Sequence, residues 1–437
     1  MNADTIFALA SAPGRAGIAV VRLSGVGTHT AIVALKCNVP PARKAVRAKF
    51  KHPKSAELLD DGLLILFPAP HSFTGEDVAE LHLHGGRAVI DSVLDALNGI
   101  EGLRPAEPGE FSRRAFANDK MDLTEAEAIA DLVDAETRGQ QRQALRQMGG
   151  ALKELYDGWR HRLVQSLAHL EAVIDFPDED LPADVSEKLW GEVGDLSTAI
   201  SQHLDDGRRG ERIRSGISIA IVGPPNAGKS SLLNMLSRRE TAIVSATPGT
   251  TRDVIEVHLD LDGHAVTIAD TAGLRESADT IESEGIRRAK RRAETADLKI
   301  AVFDGANYPT LDATTQALVD ENTIVVVNKS DLLKTPPRDA MAMSLQSGAG
   351  VDAFLQKLHR AVNALADTGA AMPLTRVRHR KALEECLVAL QRARAASESE
   401  LAAEDLRLAA RALGRLTGRI DVEEILDAVF RDFCIGK

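Results

Sequence analysis

The apolar run Ile217-Ser218-Ile219-Ala220-Ile221-Val222 passes without a break into Gly223-Pro224-Pro225-Asn226-Ala227-Gly228-Lys229-Ser230. A short apolar run suits a buried strand, and a glycine-rich loop of this spacing ending in Lys-Ser is the P-loop pattern in its expected context. The glycines let backbone N–H groups of Asn226, Ala227 and Gly228 wrap phosphate oxygens. Lys229 then brings a point charge to the β and γ positions, and Ser230, followed by Ser231, opens a helix over about residues 231–236 with a hydroxyl suited to Mg²⁺. Strand, cradle and helix in that order predict an α/β nucleotide-binding domain.

Three further elements follow in the order a Ras-like domain requires. Pro248-Gly249-Thr250-Thr251-Arg252-Asp253 offers Thr251 as a second hydroxyl for Mg²⁺, and Asp270-Thr271-Ala272-Gly273 follows a strand expected at residues 265–268. A second apolar run, residues 324–327, leads into Asn328-Lys329-Ser330-Asp331. The Asp331 carboxylate can accept hydrogen bonds from both N1–H and N2–H₂ of guanine, a donor pair that adenine lacks, so GTP is favoured over ATP. Ser344-Leu345-Gln346-Ser347-Gly348 takes the place of the last base-binding loop. Together these place a G domain at residues 213–367, with Lys229 and Thr251 in catalytic roles. Leu274 stands where Ras carries a water-orienting glutamine, and an apolar side chain cannot orient water. The amide oxygen of Asn226, with the loop at residues 245–250, is expected to hold K⁺ beside the phosphates in place of an arginine finger.

A chain of 437 residues exceeds one ordinary core, and three domains are expected. With 44% hydrophobic and 27% charged residues it reads as a soluble globular protein. No apolar run approaches the ~18 residues needed to span a bilayer, so no membrane role and a cytoplasmic location are expected. Cys37, Cys386 and Cys434 fit neither a disulfide framework nor a zinc cluster. The net charge of −11 argues against a chain that grips nucleic acid alone. Basic stretches at 287–292 and 376–381 read as solvated helix faces.

Before the G domain, residues 6–9, 18–23, 62–67 and 78–84 read as strands, with one or two helices between them. In the last of these, Ala79, Leu81 and Leu83 alternate with Glu80, His82 and His84. From Asp122 a capping box at Thr124 and Glu127 opens a long amphipathic helix to about Ile174, and a further helix runs to about Leu204. Helical periodicity returns from about Arg380 to Leu416, and again from Asp421 to Phe433. Two amphipathic segments flanking an α/β insert predict one discontinuous bundle, two separate helical units being the alternative.

Arg104-Pro105-Ala106-Glu107-Pro108-Gly109-Glu110-Phe111-Ser112, Ser72-Phe73-Thr74-Gly75-Glu76-Asp77, the G-domain motifs and the final Phe433-Cys434-Ile435-Gly436-Lys437 together resemble the MnmE (TrmE) family of tRNA-modification GTPases. The resemblance implies an α/β multidomain chain. It implies an N-terminal α+β folate-binding domain that dimerises (1–117), a discontinuous helical bundle (118–212 and 368–437) and an inserted Ras-like P-loop G domain. It further implies K⁺ at Asn226 and Thr250 with the Ser245 and Thr247 backbone, beside Gly249, and a water positioned by Glu282. Arg22, Glu80, Lys120 and Lys437 match positions that hold 5-formyl- or 5,10-methylene-tetrahydrofolate. The implied partner is an MnmG-type FAD protein, in a heterotetramer that binds tRNA mainly through that partner and installs an aminomethyl-type group at C5 of the wobble uridine. Pro248 and Leu345 stand where the family usually has alanine.

Cys434 is either a nucleophile toward C6 of uracil or an anchor for the C-terminal tail. His82 and His84 share a strand face without a third metal ligand, which favours a polar pocket wall. Two rival readings are a ribosome-assembly G protein and a nucleotide-gated scaffold. The first usually carries a basic RNA-binding module.

Overall fold

The computed structural model describes residues 4–175, 184–242, 256–270, 291–367, 372–420, 426, 429, 430, 433, 435 and 436. The chain divides into two compact units. One comprises residues 1–130, 148–161 and 410–437, and the other residues 131–147 and 162–409.

In the first unit, β1 (Thr5–Leu9), β2 (Ala16–Ser24), β3 (Val46–Lys51), β4 (Leu58–Phe67), β5 (Val78–Gly85) and β6 (Leu103–Pro105) form a sheet in the order β3-β4-β5-β2-β1-β6. Only the β1–β6 pair is parallel among these neighbours. Ala79, Leu81 and Leu83 of β5 are buried, as their alternation predicts, in a core shared with Val93, Ala96 and Leu97. The opposite face brings Arg22 of β2 directly across from Glu80 of β5. Three helices accompany the sheet, not one or two: α1 (Thr28–Ala34), α2 (Arg87–Asn98) and α3 (Glu110–Ala117).

Buried Arg114 of α3 binds Asp4, Glu76 and Glu110, while Arg104 binds Asp4 and Glu110. Burial works against the Glu110 charge, but hydrogen bonds from Arg104, Glu107 N–H and Arg114 outweigh it and hold the carboxyl below its ordinary range. The C-terminal tail packs on the same unit. A Cβ on Gly436 would lie 2.3 Å from the Leu9 carbonyl, and one on Gly109 would lie 2.7 Å from that of Phe430.

The long helix expected from Asp122 to Ile174 is three helices: α4 (Leu123–Val133), α5 (Arg138–Met148) and α6 (Ala151–Asp175). Gly150, at φ +84°, separates the last two. The first capping box is Asp122 with Glu125, not Thr124 with Glu127: Glu125 N–H donates to Asp122 Oδ1 and Asp122 N–H to Glu125 Oε2. Thr137 and Gln140 form a second box at the start of α5.

In the second unit, α7 (Asp184–Leu204) packs against the later α12 (Val377–Ala395), so segments on either side of the α/β insert share one bundle. Arg380 ties them through Leu204 O, Asp206 and Glu211. Arg376 and Arg214 both pair with Asp131. Arg376 and Arg380 of the 376–381 stretch are thus committed to ion pairs rather than offered to a nucleic acid. A helix before the insert, α8 (Arg209–Ser215), and one after α12, α13 (Ser399–Thr417), were not separated by the periodicity.

Among the described residues the insert forms a seven-stranded sheet. Its strands are β7 (Ile217–Val222), β8 (Thr241–Ala242), β9 (Glu256–Leu261), β10 (His264–Asp270), β11 (Leu298–Asp304), β12 (Thr323–Asn328) and β13 (Met341–Ala342), in the order β13-β12-β11-β7-β10-β9-β8. Central β7 is parallel to both neighbours, and its apolar side chains are buried between α9 (Lys229–Arg239) and α11 (Val351–Ala366) on one face and a smaller apolar cluster on the other. The short α10 (Ala313–Gln316) lies between β11 and β12 in the chain.

Candidate nucleotide site and N-terminal cavity

The chain leaves β7 toward β8, β9 and β10, then crosses to β11 on the other side, which makes the carboxyl end of β7 the topological switch point where ligands bind in open α/β sheets. Residues 223–228 turn there into α9. Gly228 adopts φ +101°, and a Cβ on it would stand 2.2 Å from Asn328 Nδ2, so only glycine fits. Asn226 sits in the left-handed region at φ +62° with its side chain exposed. Ala227 is fully buried, and Ser230 and Ser231 lie exposed in the first turn of α9. Lys229 curls back so that its Nζ donates to the carbonyls of Gly223 and Pro224, both at 2.8 Å.

The base-reading loops join this cradle through one side chain. Buried Asn328, at the end of β12, donates from Nδ2 to Ala227 O at 2.9 Å and accepts at Oδ1 from Leu345 N at 3.2 Å. The P-loop and the loop carrying Ser344 are therefore held by a single amide. Ser344 is buried and accepts at Oγ from Ser347 N, and Ser330 N–H donates to Met343 O. Lys329, at φ +59°, reaches Asp304 at the end of β11 with a 2.5 Å ion pair. Burial works against the Asp304 charge, but the bonds from Lys329 and Ala306 N–H hold its carboxyl below the ordinary range. Asp331 is exposed on the turn Ser330–Leu332, and among the described residues no cation pairs with its carboxylate.

The structure thus brings together Asn226, Ala227, Gly228, Lys229, Asn328 and Ser344, with Ser230, Ser231, Lys329 and Asp331 on the same loops. Asp270 ends β10 with its backbone opposite Ile221, next to the cradle. Ser245, Thr247, Gly249, Thr250, Thr251, Thr271, Ala272, Gly273, Glu282, Cys434 and Lys437 lie outside the described residues.

A cavity of about 400 Å³ opens in the first unit, lined by Arg22, Arg43, Phe67, His71, Ser72, Phe73, Val78 and Glu80. It falls within the roughly 300–1,000 Å³ of small-molecule sites. Arg22 Nη2 lies 3.1 Å from Glu80 Oε1, and the guanidinium stands over the rings of Phe73 and Phe111 at 5.5 and 5.8 Å. The other Glu80 oxygen faces His82 Nε2 at 3.4 Å. Lys120 is not one of the lining residues, but its stem stands against Gly75 on the loop that supplies Ser72 and Phe73. His84 Nδ1 lies 2.8 Å from Asp60 Oδ1, and among the described residues no group of three or more His, Cys, Asp and Glu could hold a metal ion. Burial pushes the Cys386 thiol up to about 12, which leaves it inert.

Sequence reasoning missed Asp304, the bridging role of Asn328, and the cavity wall of Arg43, Phe67, His71 and Phe73. For Asn328 the signal was its place at the strand end; for the cavity wall only the Ser72-Phe73 motif hinted at a site. No described helix is long and apolar enough to cross a membrane.

Residues 123–434 match the MnmE helical domain family, and residues 5–120 match the family described as GTP-binding protein TrmE N-terminus. The tRNA modification GTPase MnmE of Paramagnetospirillum magneticum is 60% identical over 441 residues, covering 99% of this chain and all of the relative. The mitochondrial 5-taurinomethyluridine-tRNA synthase subunit GTPB3 of Rattus norvegicus is 47% identical, covering 99% of this chain and 93% of the relative. Among solved structures, the G domain of the T. maritima FeoB iron transporter is 21% identical with a TM-score of 0.26, covering 35% of this chain and 99% of that one.

Proposed function

The chain belongs to the MnmE family of tRNA modification GTPases, and from that premise we propose that its GTP hydrolysis drives a motion that serves one-carbon chemistry at the wobble uridine. It is a GTP hydrolase acting in tRNA modification. The full-length family match leaves the ribosome-assembly alternative without support.

The observation that carries the reading is the Asn328 bridge, which fixes the phosphate cradle and the base loop as one site. In that site the P-loop N–H groups and Lys229 hold the β and γ phosphates, and Asp331 reads the paired donors of guanine. The donor set fits Mg²⁺: the hydroxyls of Ser230 and Thr251 would hold it, with Asp270 near by, and it supplies neutralising charge at the phosphate oxygens. K⁺ would sit against the Asn226 amide and the loop with Ser245, Thr247 and Thr250, supplying the charge an arginine finger provides elsewhere. The left-handed backbone and exposure of Asn226 suit that role. Glu282 of a second G domain would position the attacking water.

The N-terminal cavity fits a reduced folate. Its walls pair aromatic rings with a carboxylate, Glu80, that can accept from the N–H groups of a pterin, beside Arg22. Bound there with Lys120 and Lys437, 5-formyl- or 5,10-methylene-tetrahydrofolate would supply the carbon unit. The domain division at 117, 212 and 367 follows these roles. The chain acts as a homodimer through its N-terminal domain, in the cytoplasm, with an MnmG-type FAD protein that provides most of the tRNA contact. Cys434 stands as a candidate nucleophile.

The test is restoration of wobble-uridine modification in an extract that lacks this chain. Wild type restores it in potassium buffer and Lys229→Ala does not. Restoration by Lys229→Ala, or equal GTP turnover in sodium-only and potassium buffers, would refute the corresponding part.

A further inference from the structure

Two arginines and one carboxylate line the N-terminal cavity, and they are not equivalent. Arg22 is committed: Glu80 takes its Nε and Nη2, and the two carry no net charge together. Arg43 is held without an acid. Its Cζ lies 5.6 Å from the centre of the Phe67 ring, its Nη2 donates to the His71 carbonyl, and its backbone N–H donates to Leu66 O, pinning it to β4. Among the described residues no carboxylate pairs with it. A guanidinium has five N–H donors, so a fork fixed by one ring and one carbonyl keeps an open edge for a bidentate anion.

We propose that Arg43 is the residue that selects ligands carrying a carboxylate tail at this cavity. The inference rests on the folate reading, in which Glu80 and Arg22 hold the heterocycle. Arg43, at the exposed mouth, then binds the glutamate end of the same molecule. The Phe67 ring lies under the guanidinium, and the His71 carbonyl accepts from one of its donors. Arg43 occupies φ +58°, so its replacement has to tolerate the left-handed backbone; asparagine does so best among non-glycine residues.

The test is calorimetric binding on the full-length chain with two probes, 5-formyl-tetrahydrofolate and 5-formyl-tetrahydropteroate, the second lacking the glutamate. Wild type prefers the glutamate-bearing probe by about tenfold or more, as a charged hydrogen-bonded pair requires. Arg43→Asn loses that preference, the affinities for the two probes falling to within about twofold of each other, and Arg43→Lys recovers part of it. An unchanged preference in Arg43→Asn overturns the proposal and leaves the folate reading intact. Wild type binding neither probe overturns the folate reading and this inference with it. Should Arg43→Asn fail to fold by circular dichroism, Arg43→Lys decides: undiminished preference there, with the stacked fork lost, refutes bidentate selection.

Discussion

Asn328→Ala tests the claim that one buried amide holds the nucleotide site together. The side chain is 3% exposed and makes two hydrogen bonds, donating 2.9 Å to Ala227 O and accepting 3.2 Å from Leu345 N. Truncation leaves a carbonyl and an N–H without their partner in a dry setting. Each such group costs ~1–3 kcal/mol, so the pair is worth about 2–6 kcal/mol, or roughly 30- to 25,000-fold in the population of the assembled site. On the proposed reading both segments it joins would contact nucleotide, so the loss should fall on affinity as well as local stability. The assay is binding of fluorescently labelled GDP to the full-length chain, together with hydrogen exchange over residues 223–239 and 341–350. Affinity should fall at least about 30-fold, with faster exchange in both segments. Asn328→Asp keeps the acceptor for Leu345 but sets a carboxylate oxygen against Ala227 O, and should be no better than alanine. A change of less than about twofold in affinity, with exchange unaltered, would refute the bridge.

Gly228→Ala places a methyl 2.2 Å from Asn328 Nδ2 and forces alanine to φ +101°, so it should abolish labelled-GDP binding while far-ultraviolet circular dichroism stays within a few per cent. Burial pushes the Asp122 carboxyl up to about 6 from 3.8. The stability tied to its protonated form is present below pH 3.8 and lost as pH rises through 6, so Asp122→Asn, which keeps the cap, should gain on the order of 2–3 kcal/mol at pH 8 in urea unfolding, and Asp122→Ala, which removes the same charge together with the cap, should gain ~1 kcal/mol less. Burial also depresses His203 to about 4 from 6.5. Its contribution is present above pH 6.5 and lost as pH falls through 4, so the drop in urea midpoint between pH 7 and pH 5 should shrink in His203→Gln.

The G domain was legible because its motifs are contiguous and order-dependent: a strand, a glycine turn and a helix cannot be rearranged without losing the spacing. The sheet of the first unit was legible where strands alternate, as in β5. Edge strand β3 escaped because Arg47, Lys49 and Lys51 give it the charged, exposed character that protects sheet edges. The helix after Asp122 was read as continuous because three- and four-residue spacing of apolar side chains persists across Gly149-Gly150, and periodicity does not register a break that leaves the phase unchanged. Two overlapping patterns, Asp122 with Glu125 and Thr124 with Glu127, each satisfy the capping signature, and geometry chose the first. Asp304 and Arg43 were invisible for a different reason. Each acts through a partner more than twenty residues away, Lys329 and His71, and no local pattern encodes such a pairing.

Turnover of GTP against ATP by the purified chain, repeated with xanthosine triphosphate in Asp331→Asn, tests the central claim most directly. A cradle closed by Lys229 and a base read by Asp331 predict a GTP preference of at least about 100-fold in kcat/KM for wild type, and a switch toward xanthosine triphosphate in the variant. Equal or better turnover of ATP by wild type, or a variant that keeps its preference for GTP, would contradict it.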